Sequence, residues 1–175
     1  MLFLNRWYLD KPASPEYPQI NNDWQLFSTS VKSLQLALVK CKAIGNKTDY
    51  SFTEQESLDS LTSKFNRVTD LYTKRVLHSV WMLLYEGFAP FIDMVKIMEK
   101  LNIIHSGEQL TAMRDLRNAI ELECLPDVLI DFIPEVIHYS AMLDDNIRMT
   151  EGFLQNESGW ISDMLPEIKP FEKAF

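Results

Sequence analysis

From residue 23 onward, apolar residues recur along this chain at intervals of three and four, which is the period of a helix with one face turned to a core. Trp24, Phe27, Val31, Leu34, Leu38 and Cys41 step by 3, 4, 3, 4 and 3. That stripe stops at Gly45-Asn46, a pair suited to ending a helix. A second stripe, Leu58, Leu61, Phe65, Val68, Tyr72, Val76 and Val80, predicts a long helix from Phe52 to Glu86. Thr53 and Glu56 are spaced as a capping box at its start. A turn near Gly87 separates it from a third helix, Phe91 to Ile104, with Pro90 at the first turn. Ser106 and Gln109 have the spacing of a second capping box and open a fourth helix. There Leu116, Ile120 and Leu122 to Leu125 are expected to face inward, with Arg114, Arg117, Asn118 and Glu121 on neighbouring faces. Pro126 and Asp127 look like another helix start, and Pro134 should kink or split the run that follows.

This pattern predicts an all-α fold, an up-and-down bundle of about five helices spanning 23–154. An N-terminal arm (1–22) and a C-terminal extension (155–175) flank it. In the extension Gly159, Pro166 and Pro170 interrupt any long helix, yet Trp160, Ile161, Met164, Leu165, Phe171 and Phe175 are too apolar for a solvated tail. Both flanks are expected to dock on the bundle or on a second subunit; the alternative is an exposed strap that binds a partner. A chain of 175 residues is long enough for one hydrophobic core. No apolar run reaches the roughly 18 residues that cross a bilayer, and the opening "MLFLNRWYLD" lacks a signal-peptide pattern, so a cytoplasmic location with no membrane partner is expected. Cys41 and Cys124 are too few for a disulfide framework and lie in no zinc-ligand spacing; both are expected to be free, buried thiols.

The net charge of −8 is unevenly spread. Residues 1–120 carry 14 Lys and Arg against 13 Asp and Glu, whereas 121–175 carry 3 against 12. An acidic C-terminal third disfavours broad binding to nucleic acid, which depends on clustered cations, and no DNA partner is expected. Lys64, Arg67, Lys74 and Arg75 on the long helix could join Arg114 and Arg117 in a local basic groove. The competing reading is a solvated face laced by ion pairs such as Asp70 with Lys74. The carboxylate pairs Glu121/Glu123 and Asp144/Asp145 diverge by roughly 200° and 100° around a helix, so they suit solvation better than a metal. No Glu-x-x-His pair is present, and no metal or other cofactor is expected.

The segment Asp115 to Cys124, "DLRNAIELEC", follows "FTEQESLDSLTSKFNRVTDLYTKRVLHSVWMLLYE" and "FIDMVKIMEKLNII" in order. In that order and spacing the chain, from about Asp23 to Pro126, resembles the HEPN superfamily, and within it the HepT-like proteins that pair with a minimal nucleotidyltransferase in prokaryotic toxin–antitoxin modules. The family's motif is Arg, usually Asn, then after a short run His, often followed two residues later by Tyr. Arg117 and Asn118 match it, but Leu122 stands at the His position and Cys124 at the Tyr position. The resemblance implies a homodimer whose motif helices face each other; nucleotide or RNA binding is expected, if anywhere, at Arg117, Asn118 and Arg114.

Cleaving RNA through its own 2′-hydroxyl requires a group that moves protons near neutral pH and a cation that holds the phosphate. Leucine has no titratable proton. His78, His105 and His138 are remote in sequence from Arg117, and none follows an Arg at the motif spacing. No catalytic residue is therefore expected. The sequence favours a catalytically degenerate, partner-binding HepT-like protein. Two alternatives are an active ribonuclease with a proton-transfer group from elsewhere in the dimer, and a purely structural or regulatory bundle. Glu121, one turn beyond Arg117, is placed to neutralise it and make the motif remnant structural.

Overall fold

The structure is a computed structural model that describes residues 17–85, 87–123, 126–157, 168, 169 and 171. These form an all-α bundle, as the periodicity predicts. Its elements are α1 (Tyr17–Ile44), α2 (Phe52–Leu71), a π-turn (Tyr72–Val76), α3 (Leu77–Leu84), α4 (Phe91–Lys100), α5 (Gly107–Leu122), α6 (Pro126–Asp131), α7 (Ile133–Gly152) and a closing π-turn (Phe153–Glu157). No helix of the described residues is long and apolar enough to cross a membrane.

Helix α1 begins inside the stretch taken for an arm, because Ile20, one turn before Trp24, extends the buried stripe. The rest of the arm, 1–16, lies outside the described residues, as does most of the C-terminal extension. At its far end α1 closes with the Gly45 N–H on the Cys41 carbonyl (3.3 Å) and Gly45 at φ +70°, a conformation glycine adopts without a Cβ clash. The cap of α2 is Ser51, not Thr53. Ser51 has extended backbone angles and accepts from the Glu54 N–H, while the Glu54 carboxylate accepts the Ser51 N–H (3.0 Å). Ser51→Ala is expected to lower stability by about 1 kcal/mol in urea unfolding.

Hydrogen bonds from Lys47 and from the Ser51 backbone hold the Glu54 carboxyl down to about 2 from an ordinary 4.5. Its contribution to stability is therefore full above about pH 4.5 and is lost as pH falls toward 2. A Glu54→Gln variant is expected to be less stable than wild type at pH 6 and to converge with it near pH 2 in the same unfolding assay.

α2, the π-turn and α3 form one continuous helix. Its core stripe ends in three steps of four, Val68, Tyr72, Val76 and Val80, all fully buried. On a regular helix twelve residues turn about 120° past three full turns, which would carry Val80 off the face that Val68 occupies. The wide turn, closed by the Leu77 N–H on the Tyr72 carbonyl, absorbs one residue and keeps the stripe facing the core.

The third helix stops at Lys100, before the expected Ile104, because Asn102 takes a left-handed conformation (φ 56°). The Ile103 N–H bonds the Met98 carbonyl (2.9 Å) and the Asn102 N–H bonds that of Glu99 (3.0 Å), a Schellman closure with asparagine in place of glycine. Ile103 and Ile104 are thereby turned into the core. α5 is capped by Ser106, which accepts from the Gln109 N–H (3.2 Å). Among the described residues Gln109 Oε1 has no partner, so only half of that capping box forms. Pro134 splits the last long run as predicted: α7 carries it in its first turn, and Phe132 separates α6 from α7.

α1 lies antiparallel to the long helix. Cys41 Sγ donates to the Ser57 carbonyl (3.3 Å) at one end, Phe27 stacks on Tyr72 (5.3 Å) in the middle, and Ser79 Oγ donates to Asp23 (2.8 Å) at the other. α7 closes the core: the Tyr72 hydroxyl donates to Thr150, which donates to the Ile103 carbonyl (2.8 Å). Part of the C-terminal extension docks here. Ile168 is buried with its N–H on Glu151 Oε1 (3.3 Å), and the Lys169 carbonyl accepts from Gln35 Nε2 (2.7 Å).

Candidate functional site

The motif residues lie on the last turns of α5, whose buried residues are Gly107, Leu110, Met113, Leu116 and Ile120. Arg117 sits beside that stripe, and its side chain is only 13% exposed. One guanidinium nitrogen reaches Asp70 Oδ2 on α2 at 2.5 Å. The other amine meets the Glu121 carboxylate and the Asn118 side-chain oxygen (3.1 Å). Asp70 also holds Lys74 Nζ at 2.8 Å. Two cations therefore alternate with two carboxylates in a cluster of no net charge. Both terminal amines of Arg117 are thus held by carboxylates that would repel a phosphate, and among the described residues Nε is left without a partner.

Position 122 does not continue the core face. Leu122 is 83% exposed, and the reason is angular: two residues past Ile120 is a turn of about 200° to the opposite side of the helix. Leu122 lies within about 40° of Asn118, which is also exposed, and about 140° from Arg117. The remnant is thus divided, with the cation turned inward and the Asn118 and Leu122 positions turned to solvent. Cys124, at the Tyr position of the motif, lies outside the described residues.

Among the described residues, the others considered for a basic groove each have a local partner, Arg67 excepted. Arg114 stacks on the Phe91 ring (4.7 Å) and lies 3.4 Å from Asp115. Lys64 bonds Ser60 Oγ (2.6 Å), and Arg75 lies 3.6 Å from Asp23. His78, His105 and His138 are exposed, and among the described residues none is hydrogen-bonded to the Arg117 cluster. His105 contributes its backbone N–H to Asn146 (2.9 Å), and the His138 ring meets Tyr139 edge-on.

Two carboxylates away from the motif are largely buried. Asp144, expected to be solvated, is largely buried against Arg148 (3.1 Å), and burial pushes its carboxyl above the usual range. Asp23 is buried inside α1, where it accepts from Gln19 (3.0 Å) and Ser79 and faces Arg75. The sequence reading paired Asp70 with Lys74 and missed its bond to Arg117; the available signal was its position between Val68 and Tyr72 at the edge of the buried stripe. Cys41 is free and buried as expected, and burial pushes its thiol up.

Comparison of this chain with protein-family models, with curated proteins and with solved structures found no match.

Proposed function

We propose that this chain is a noncatalytic, HepT-like member of the HEPN superfamily that acts by binding: a homodimer that engages a partner protein. The partner that the resemblance implies is a minimal nucleotidyltransferase in a toxin–antitoxin-like module. The observation that carries the reading is the state of Arg117, whose guanidinium is engaged by Asp70 and Glu121 while leucine occupies the proton-transfer position. A cation so neutralised supports packing of α5 on α2 better than it supports phosphate binding, and leucine supplies no acid or base. Nucleotide or RNA binding at Arg114, Arg117 and Asn118 would require that cluster to open.

Leu122 and Asn118 together offer a mixed apolar and amide surface on the exposed side of α5, suited to contact with another protein. The test has two arms. Single-stranded RNA incubated with excess protein is expected to remain intact; cleavage that Arg117→Ala abolishes would instead establish the ribonuclease alternative. Light scattering after size exclusion is expected to show a dimer that Leu122→Asp converts to monomer, with folding stability changed by no more than about 0.5 kcal/mol. A wild-type monomer, or a dimer indifferent to Leu122→Asp, would remove this face from the proposal.

A further inference from the structure

A half-open cavity of about 830 Å³ lies where the C-terminal end of α1, the loop into α2 and the α6–α7 junction meet, away from the Arg117 cluster. Its floor is apolar: Cys41, Leu58 and Ile133 are buried, and Ile130 and Ile137 are half-buried beside them. The wall formed by the loop is pinned. The Tyr50 hydroxyl accepts the Lys47 N–H (3.1 Å) and donates to Asn46 Oδ1 (3.3 Å), Gln55 Nε2 donates to the Tyr50 carbonyl (3.3 Å), and the Ser51–Glu54 capping box fixes the next residue. A preformed concavity of this size falls in the range of about 300–1,000 Å³ that small ligands occupy.

Among the described residues the lining carries two carboxylates and one lysine, and Lys40 and Lys64 lie close enough to the floor to act on Cys41. Lys47, the one basic residue of the lining among the described residues, is bound to Glu54 at 2.5 Å. Asp49 and Asp131 are exposed, and among the described residues neither carboxylate has an ion-pair partner. An anion entering would meet two uncompensated carboxylates and a lysine already neutralised. A cation would gain from both, and an apolar body attached to it would displace water from the isoleucine and leucine floor.

We propose that this cavity binds a small amphipathic organic cation, an ammonium group carried on an apolar chain or ring, with the ammonium at Asp49 and Asp131 and the apolar body over Leu58, Ile133 and Ile137. This site is independent of the motif on α5. The test is an amide NMR titration of the full chain with three probes of one skeleton: phenylbutylamine, phenylbutanol and phenylbutyrate. The amine is expected to produce saturable shifts confined to the 45–50 loop and to residues 130–137, and to bind more tightly than the alcohol, with the acid weakest. The double variant Asp49→Asn with Asp131→Asn is expected to weaken the amine about tenfold and leave the alcohol unchanged. Ile137→Trp, which fills the floor, is expected to abolish binding of both, and Arg117→Ala to affect neither. Absence of saturable shifts in this region, an acid that binds as well as the amine, or an amine indifferent to the double variant would each overturn the proposal.

Discussion

Asp70→Ala is expected to destabilise the protein by about 2–3 kcal/mol in urea unfolding, more than removal of the cation it holds. The Arg117 side chain is mostly withdrawn from water, and without Asp70 its only remaining carboxylate is that of Glu121, which is itself more than half exposed. Orphaning a fully buried charge costs about 3–5 kcal/mol; Asp70 is partly solvated, so the lower figure applies. Arg117→Met should cost only about 1 kcal/mol, because the aliphatic stem keeps its packing and Asp70 keeps Lys74. The asymmetry is diagnostic. If both substitutions cost the same, or if Arg117→Met costs more, Asp70 is not what allows the guanidinium to lie between α2 and α5.

Asn146→Leu should cost about 2–4 kcal/mol, although leucine is close in size and the site is fully buried. The Asn146 side-chain oxygen accepts two successive backbone N–H groups, His105 at 2.9 Å and Ser106 at 3.2 Å, and its amide nitrogen donates to the Met142 carbonyl at 2.9 Å. Leucine would leave the two N–H groups of the α4–α5 connection without an acceptor, in a place where Ile103 and Ile104 are packed into the core. The same change should free that connection locally, so hydrogen exchange at His105 and Ser106 is expected to accelerate more than exchange in α1. Uniform acceleration across the bundle would mean that Asn146 acts only through global stability.

The helices were legible because a core stripe is a periodic property of the sequence, and every residue of the first two predicted stripes is buried. Their ends were less so. Thr53 and Glu56 have capping-box spacing, but Ser51 and Glu54 have the same spacing and only backbone angles choose between them. Asn102 ends α4 in a conformation usually marked by glycine, so the apolar pattern alone extends the helix past its true end. The apolar chemistry of Leu122 points inward, but its angle from Ile120 places it outward.

The motif remnant was visible as a string, and Glu121 as a neutralising neighbour follows from spacing on one helix. The bond from Arg117 to Asp70 joins residues 47 apart and depends on how α5 crosses α2, which no local pattern records. The buried Asp23 is hidden for a similar reason: its partners Ser79 and Arg75 lie on the other helix of the antiparallel pair. The cavity is tertiary too, since its floor is assembled from α1, α2, α6 and α7.

The wide turn at Tyr72–Val76 gives the long helix a place where its length can change without consequence for its faces. Elsewhere in α2 the loss of one residue would rotate everything beyond it by about 100°, exchanging buried for exposed positions. Within the turn, the same loss restores regular winding and leaves Val68 and Val80 on one side. Related chains that differ by a single residue in this helix should therefore carry their gap between Leu71 and Leu77, and the two lengths would share one core.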